Sequence, residues 1–460
     1  MYFKQIPTPG LGCFSYVIGC PAAHEMVVVD PKRDVQDYLD ISREEGMKIT
    51  HVIDTHVHAD HISGGQELRS RTGCDIMLYE TSPVTYQFTP LKEGQKLIVG
   101  NAGLEVLHTP GHTPDALSLL VTDFTRGQEP WMILTGDVLF VNDIGRPDLV
   151  GDAKLEEQVA NLYNSLYVKL AQYPDDLEVF PAHGAGSLCG RGMSSKPSST
   201  LGFERRHNAM LGFDSFEKFH EVMTGNFPER PKSFTHIIST NTNGAPLLER
   251  CPMDLAMEPE RFEQRMLEGD IVLDVRNAAA YAGYHIPGSL NIGFDPGLAN
   301  WVGMVVSPDA NLLLVVENRE DYERMRTELH RIGYDNIYGY LMGGIQAWVY
   351  SGRPVNRLTI DSGQEIKNCM DNGKELSIID VRTPGETEQG VIPGAVKIPL
   401  NKILAGEFDL PEDGKHLIYC ASGYRSNIAA SYLQQNGYWD VRALAGGYLA
   451  WTRAGYPVEK

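Results

Sequence analysis

The chain has 460 residues, of which 42 % are hydrophobic and 22 % charged, a composition typical of folded globular proteins and not of disordered ones. A formal net charge of −20 and the lack of any Lys/Arg run exclude electrostatic binding of nucleic acid. No apolar run approaches the ~20 residues that a membrane helix requires, so no membrane partner is expected. At roughly 150 residues per domain, the length predicts about three domains.

Cysteine usage indicates a reducing compartment. The seven cysteines are scattered, their number is odd, and no Cys-x-x-Cys pair exists, which argues against a secreted disulfide framework. The first residues contain no basic segment followed by an apolar one, so we recognise no secretory signal. We therefore expect a cytoplasmic location. The cysteines are Cys13, Cys20, Cys74, Cys189, Cys251, Cys369 and Cys420.

The front 245 residues contain strand-like runs, most of which lead into a histidine or aspartate. Residues at the carboxyl ends of strands meet at one edge of a sheet, where α/β proteins place their sites. A Gly- and Ser-rich segment, 184–199, predicts a loop over that edge. The strand-like runs are 25–29, 51–53, 104–107, 132–134 and 178–180.

Seven potential metal ligands follow these runs, four of them within Thr-His-Val-His-Ala-Asp-His at residues 55–61. Imidazole and carboxylate are ligands of both zinc and non-haem iron. A single histidine is more often structural, but seven such groups in this order indicate a metal centre. The pattern resembles the metallo-β-lactamase superfamily, which implies an αββα sandwich with metal at one sheet edge. The seven residues are His56, His58, Asp60, His61, His112, Asp137 and His183.

The segment after Asp137, with Gly-Arg-Pro-Asp at 145–148, resembles the persulfide dioxygenase branch more than the glyoxalase II thioesterases. This resemblance implies one Fe(II) per chain on His56, His112 and Asp137, with positions open for O₂ and substrate. It also implies that four further residues orient those ligands through hydrogen bonds. Nothing in the sequence removes ligands for a second metal, so the one-metal interpretation depends on the resemblance alone. The four further residues are His58, Asp60, His61 and His183.

Two more residues are substrate-binding candidates. Arg146 is suited to hold a carboxylate of the thiol carrier, or it pairs locally with Asp148. Cys189 lies on the expected loop over the site. It is either a persulfide relay or an ordinary loop thiol, and the ordinary interpretation is favoured.

Residues 225–250, rich in Pro, Asn and Thr, are expected to lead into an internal repeat. Ile-Val-Leu-Asp-Val-Arg at 271–276 matches Ile-Ile-Asp-Val-Arg at 378–382, and several Gly, Pro and Trp positions recur at a spacing of 103–106 residues. In the second copy, apolar runs at 378–381, 395–398 and 416–420 alternate with a helical segment at 426–435. Each copy is therefore predicted to be a small α/β domain with a parallel sheet.

A loop at residues 420–426, Cys-Ala-Ser-Gly-Tyr-Arg-Ser, follows a strand-like run and precedes a helical one. It matches Cys-x₄-Arg-Ser/Thr and resembles the active loop of rhodaneses, which implies that Cys420 carries sulfane sulfur beside Arg425 and Ser426. Loop N–H groups, a helix N-terminus and Arg425 are expected to favour the thiolate of Cys420. A related loop in cell-cycle phosphatases is longer, so its length here favours sulfur over phosphate.

The first copy departs from this pattern. Glu317 is expected where the cysteine should be, and carboxylates replace the loop glycine. We interpret this copy as an inactive rhodanese with a structural or docking role. Asp274 with Arg276, and Asp380 with Arg382, are expected to form structural ion pairs.

The domain order resembles bacterial fusions of a persulfide dioxygenase with a degenerate and an active rhodanese, which detoxify sulfide. Expected domains are 1–245, 250–356 and 357–460. The resemblance implies oxidation of a low-molecular-weight thiol persulfide by O₂ to sulfite, coupled to sulfur transfer with sulfite or thiosulfate, in a homo-oligomer. One alternative is a di-zinc glyoxalase II-like thioesterase fused to a sulfurtransferase. Another is a sulfur-relay scaffold with an inert front domain. The carrier thiol stays open.

Overall fold

The computed structural model describes residues 1–225, 227, 230–250, 255–295, 297–373 and 376–460. The chain divides into two compact units. The first contains residues 1–250 with 328–333, and the second contains 251–327 with 334–460. Among the described residues, no helix is both long and apolar enough to cross a membrane.

Two six-stranded sheets make up most of the first unit. The first sheet runs in the order β1 Tyr2–Thr8, β2 Cys13–Cys20, β3 Glu25–Val29, β4 Lys48–Ile53, β5 Asp75–Tyr79 and β6 Thr89–Leu91. The second contains β7 Lys96–Val99, β8 Ala102–His108, β9 Leu117–Asp123 and β10 Met132–Gly136, then β13 Glu178–Pro181 and β14 Ser199–Thr200, in the order β14-β13-β10-β9-β8-β7. A separate ribbon pairs β11 Leu139–Phe140 with β12 Asp143–Ile144.

The sheets pack face to face and are covered by helices on their outer faces. Side chains alternate across each strand: Val27 joins the core between the sheets, whereas Val28 packs with Tyr38 under the helices. In the second sheet Leu119 faces the inner core and Leu120 the outer one. These layers confirm the predicted αββα sandwich. The helices are α1 Gln36–Glu44, α2 Gly65–Thr72, α3 Leu155–Asn164, α4 Leu201–His207, α5 Phe216–Met223 and α6 Ser233–Asn243.

The second unit contains two five-stranded sheets of the same topology, and all their strand pairs are parallel. The first has the order β15-β19-β18-β16-β17, from β15 Leu255–Met257, β16 Ile271–Asp274, β17 Leu290–Asn291, β18 Leu312–Val315 and β19 Ile337–Leu341. The second has the order β20-β24-β23-β21-β22, from β20 Thr359–Asp361, β21 Ser377–Asp380, β22 Val396–Lys397, β23 His416–Tyr419 and β24 Val441–Leu444. Matching strand orders confirm the repeat and its parallel sheets.

Among the described residues of the second unit, five α-helices accompany each of these sheets. With the first are α7 Pro259–Leu267, α8 Ala278–Gly283, α9 Leu298–Val305, α10 Arg319–Arg331 and α11 Gly344–Tyr350. With the second are α12 Gly363–Asp371, α13 Pro384–Thr387, α14 Leu400–Ala405, α15 Tyr424–Gln435 and α16 Gly447–Arg453. The predicted helix at 426–435 is therefore present and begins two residues earlier.

The two Asp–Arg pairs expected in the repeat are confirmed. Arg276 Nη2 donates to Asp274 Oδ2 at 2.6 Å, and Arg382 Nη2 donates to Asp380 Oδ2 at 2.6 Å. Each aspartate is the last residue of the strand next to the central strand of its sheet, β16 or β21, and is buried. The pairs are matched in geometry, so they support the fold of each copy.

Candidate metal centre and sulfur-transfer loop

Four strands of the first unit deliver the candidate ligands to one place. His56 follows β4, His112 follows β8, Asp137 directly follows β10, and His183 follows β13. All four side chains are buried. The structure therefore brings together residues that lie up to 127 positions apart, counted from 56 to 183 in the sequence.

His56, His112 and Asp137 form a compact group whose ligand atoms lie within 4.8 Å of one another. His112 Nε2 is 3.3 Å and His56 Nε2 is 3.8 Å from Asp137 Oδ2. None of these three atoms has a hydrogen-bond partner among the described residues. A buried polar atom without a partner costs about 1–3 kcal/mol. Three that converge fit a bound cation, and two imidazoles with one carboxylate suit non-haem iron.

Hydrogen bonds on the opposite side fix the orientation of both imidazoles. The Arg146 carbonyl accepts from His112 Nδ1 at 2.9 Å. His56 Nδ1 lies 3.0 Å from Thr55 Oγ1, which itself donates to Asp30 Oδ2 at 2.9 Å. Because Nδ1 carries the proton in each ring, Nε2 keeps the lone pair that a metal needs.

Cys13, Asp60, His61 and His183 form a second group with ligand atoms within 4.8 Å. Cys13 Sγ donates to Asp60 Oδ2 at 3.1 Å, and His183 Nε2 donates to the same oxygen at 2.8 Å. His61 Nδ1 donates to Asp60 Oδ1 at 3.1 Å. Most of the capacity of Asp60 is therefore used inside the protein, although His61 Nε2 has no partner among the described residues.

His183 also connects the two groups. Its Nδ1 lies 2.6 Å from Asp137 Oδ1, so Asp137 gives one oxygen to His183 and directs the other toward His56 and His112. His58 is held elsewhere, with Nε2 at 3.1 Å from Asp30 Oδ1. Of the four residues expected to orient the ligands, His183 contacts a ligand directly and His58 contacts the aspartate behind His56.

The charges of the first group suit metal binding. Burial, then the neighbouring His58, lowers the pKa of His56 well below its ordinary value, and burial lowers the pKa of His112. Burial opposes ionisation of Asp137, but His183 and His112 outweigh it and lower the pKa of that carboxyl. Two neutral imidazoles and a carboxylate are the forms that bind a metal.

Arg146 is engaged by its neighbour. Its Nε and Nη2 both donate to the Asp148 carboxylate at 2.7 Å, and its Nη1 donates to the Leu188 carbonyl at 3.2 Å. Of the two alternatives from the sequence, the structure shows the local ion pair. A role for Arg146 in holding a substrate carboxylate stays a prediction, and this geometry argues against it.

Cys189 lies on the loop between β13 and β14, beside the metal centre. Its sulfur is grouped within 4.8 Å of ligand atoms of Asp137 and His183. Burial raises the pKa of Cys189 well above its ordinary value, so the residue is a thiol here and not a thiolate. The relay role of Cys189 stays a prediction.

Cys420 directly follows β23 and begins the loop before α15. The Gly423 N–H donates to Cys420 Sγ at 3.1 Å, and Ser426 Oγ donates to the Gly423 carbonyl at 2.9 Å. On the other side of the loop, the Tyr448 N–H of α16 donates to the Cys420 carbonyl at 2.8 Å. Residues of α15 and α16 therefore hold this loop around the sulfur.

Arg425 has a partner that the sequence did not reveal. Its two terminal nitrogens donate to both oxygens of Glu386 at 2.7 Å each. These hydrogen bonds lower the pKa of Glu386 to about 2. The same hydrogen bonds, together with the negative charge of Glu386, raise the pKa of Arg425. Glu386 lies 39 positions before Arg425 in a short helix, α13, where it forms a capping box with Thr383. That local motif marks a helix start and gives no sign of the contact with Arg425.

The expectation that Glu317 replaces the cysteine is wrong by one position. Asp274 pairs with Val315 in the first copy as Asp380 pairs with Tyr419 in the second. The next residue in each strand is therefore Val316 in the first copy and Cys420 in the second. A valine cannot carry sulfur. The first copy is therefore still interpreted as an inactive rhodanese, because of Val316 and not because of Glu317.

Within the second unit, the first copy contacts the loop of the second. Tyr424 Oη donates to the Gly293 carbonyl at 2.8 Å, and the Asn291 N–H donates to Ser431 Oγ at 3.1 Å. Asn427 Nδ2 donates to Asn291 Oδ1. These side chains, on α15 and β17, are mostly buried.

Segment 225–250 also does more than connect. It forms α6, from which Asn241 Nδ2 donates to the carbonyls of His58 at 2.9 Å and His61 at 2.8 Å. The amide therefore holds the backbone of the metal-binding segment. Its distance in sequence from residues 55–61 explains why sequence analysis did not find it.

Comparison with known proteins gives the family. The Metallo-beta-lactamase superfamily matches residues 8–183, and the Rhodanese-like domain matches residues 258–351 and 362–454. A solved metallo-beta-lactamase structure from Staphylococcus aureus subsp. aureus COL is 30 % identical, covers 74 % of this chain and 98 % of its own, and superposes with a TM-score of 0.66. The chain belongs to the metallo-beta-lactamase superfamily, with rhodanese-like domains in its second half.

Two curated relatives connect this family with sulfur chemistry. Persulfide dioxygenase ETHE1, mitochondrial, from Homo sapiens is 29 % identical over 245 residues, which are 52 % of this chain and 86 % of that protein. A sulfurtransferase from Allochromatium vinosum is 39 % identical over 99 residues, 22 % of this chain and 92 % of that protein. These two similarities support the conclusion that the chain is an enzyme of sulfur metabolism.

Proposed function

We propose that the front domain is an iron-dependent persulfide dioxygenase with one Fe(II) per chain. The observation that carries this proposal is the convergence of His56 Nε2, His112 Nε2 and Asp137 Oδ2, all buried and without described partners. These three residues would hold a ferrous ion, which would supply redox chemistry toward O₂ that zinc lacks. The similarity to the human persulfide dioxygenase supports the same conclusion.

The overall reaction converts a thiol persulfide to sulfite and thiol: R-S-S⁻ + O₂ + H₂O gives R-SH + SO₃²⁻ + H⁺. The outer sulfur is oxidised and O₂ is reduced, while the carrier thiol leaves with a proton. His183 keeps Asp137 in place through Oδ1, and the Arg146 carbonyl keeps His112 in place through Nδ1. These contacts pre-orient the ligands, so little rearrangement precedes binding of the metal.

Hydrogen bonds inside the second group favour one metal over two. Cys13 and His183 both donate to Asp60 Oδ2, and a second cation would have to displace those protons. The opposing observation is His61 Nε2, which has no partner among the described residues. It supports the second candidate, a di-zinc thioesterase of glyoxalase II type.

We infer that Cys420 carries sulfur in the second rhodanese copy. Attack on thiosulfate breaks its S–S bond, so Cys420-S⁻ + S₂O₃²⁻ gives Cys420-S-S⁻ + SO₃²⁻. In the reverse direction, sulfite made by the front domain takes a sulfur that a second persulfide has delivered to Cys420, and thiosulfate leaves. Arg425 lies beside the loop with its charge balanced by Glu386, and Ser426 braces Gly423.

We also propose the domain boundaries, the location and the assembly of the protein. The chain has three domains, 1–245, 250–356 and 357–460, and acts as a cytoplasmic homo-oligomer in sulfide detoxification. The six cysteines that the structure describes form no disulfide, which supports a reducing compartment. The degenerate copy supports the loop of the active one through Tyr424 and Asn291.

The deciding experiment measures metal content of protein purified without added metal, together with O₂ uptake when a low-molecular-weight persulfide is added. About one iron per chain with rapid uptake is expected. Two zinc ions per chain, no uptake and turnover of a thioester would contradict the dioxygenase and establish the thioesterase. Thiosulfate sulfurtransferase activity serves as the internal control for folded protein.

A further inference from the structure

A cavity of about 210 Å³ lies beside the metal-binding segment in the first unit. Val57 and Ala59, which alternate with the ligand-type residues of 55–61, line one side. Thr113, the residue after His112, lines another. The cavity is therefore lined by chain neighbours of His56, His58 and His112, although none of these three histidines lines it.

The rest of the lining is mostly apolar. Leu149 and Val150 come from a short 3-10 helix, Asp148–Val150, before α3, and Ile238 comes from α6. These side chains offer no partner to a charged group but favour burial of methylene groups. A ligand inside the cavity is therefore expected to be uncharged and largely apolar.

Two polar groups set the orientation of such a ligand. The hydroxyl of Thr113 is buried and has no hydrogen-bond partner among the described residues, which is costly unless a ligand atom accepts its proton. Lys154 lines the cavity from the exposed side and forms no ion pair with any residue that the structure describes. Asp115 also lines the cavity, but it accepts a hydrogen bond from Ser82 at 2.9 Å.

We propose that this cavity binds the carrier arm of the persulfide. The arm is uncharged and largely apolar next to the sulfur and ends in an anionic group that pairs with Lys154. Thr113 donates a hydrogen bond near the sulfur end. Arg146 is not the anion-binding residue, because Asp148 occupies its guanidinium. This inference depends on the proposed dioxygenase function and names its class of substrate.

The test uses the iron-loaded full chain and persulfides of a series of mercaptocarboxylic acids of increasing chain length. Each methylene that enters an apolar cavity contributes about 0.8 kcal/mol, so KM in the O₂-uptake assay should fall about fourfold per methylene until the cavity is filled. Persulfides of the matched mercaptoalcohols should bind several-fold more weakly than the acids. Glutathione persulfide, with charged groups at both ends, should have a high KM.

Variants separate the contributions of the two polar groups. Lys154→Met should abolish the preference for acids over alcohols, whereas the control Lys218→Met, an exposed lysine paired with Asp214, should keep it. Thr113→Val should raise KM for acids and alcohols alike, by about 2- to 12-fold for one lost hydrogen bond. Calorimetric titration with the corresponding thiols should give the same order of affinities without turnover.

The outcomes are distinguishable. Rapid O₂ uptake with KM values independent of chain length, or an acid preference that survives Lys154→Met, would overturn the cavity assignment and leave the dioxygenase standing. Absence of uptake with every persulfide would contradict the proposed function itself, and with it this inference. Falling KM values that level off with chain length would support both.

Discussion

Replacing Gly447 with alanine tests how tightly the sulfur-transfer loop is held. Gly447 begins α16, and its backbone lies against the loop of Cys420. A Cβ atom at this position would lie 2.4 Å from the Cys420 carbonyl oxygen and 2.8 Å from that of Ala421. The residue also has a φ of +58°, a conformation that alanine adopts only with strain.

The two costs can be worked out separately. The left-handed conformation costs about 1–2 kcal/mol for a residue with a side chain. Relief of the contact requires the carbonyl to move from 2.4 Å to the 3.4 Å of an ordinary contact, a shift of about 1 Å, and overpacking of this kind adds ~1–3 kcal/mol. A displacement of about 1 Å at a reacting group lowers the rate by roughly 100-fold.

Gly455 provides the matched control at the other end of α16. Its φ is +74°, but a Cβ there meets nothing within 4 Å. Gly455→Ala should therefore lower the free energy of unfolding only by the cost of the left-handed backbone conformation. It should keep full sulfur transfer from thiosulfate to cyanide. Thermal unfolding and the sulfurtransferase assay measure both effects. If Gly447→Ala matched Gly455→Ala in stability and in rate, the argument from the carbonyl contact would be refuted.

Three further predictions concern the two sites. His112→Ala should lose the metal and O₂ uptake and keep sulfur transfer, as measured by metal analysis and both assays; surviving uptake would show that the ligand assignment is wrong. Cys420→Ser should abolish sulfur transfer and shift the product from thiosulfate toward sulfite, and unchanged thiosulfate output would rule out the coupling. Glu386→Gln should destabilise the second copy at neutral pH, because the folded-state pKa of Glu386 is lowered to about 2 from 4.5. That stabilisation is present above pH 4.5 and is lost as pH falls toward 2, so unfolding curves of the variant and the parent should converge there; a constant difference would contradict it.

The convergence of the candidate ligands could be predicted because each follows a strand, and strand ends are visible in the sequence as short apolar runs. Cys13 could not. It reaches Asp60 because the start of β2 forms an isolated bridge with His183, a contact between residues that are far apart in the chain. Glu386 was missed for the same reason, since only folding brings it to Arg425.

The residue that replaces the cysteine in the first copy shows a different limit of prediction from sequence. Glu317 was chosen by counting from the end of an apolar run, and such boundaries are uncertain by a residue or two. The pairing of β16 with β18 fixes the position and selects Val316. The strand pairing in the two copies aligns Val316 with Cys420, which the sequence pattern alone does not do.

The contact between the two rhodanese copies has a practical consequence. Tyr424, Asn427 and Ser431 complete their hydrogen bonds with Gly293 and Asn291 of the copy that lacks a cysteine. Cutting the chain between residues 356 and 357 would remove those hydrogen-bond partners from α15, the helix that follows the loop of Cys420. The shortest fragment suited to recombinant study of sulfur transfer therefore contains both copies, and grafting the last hundred residues onto another protein would carry over the cysteine without its support.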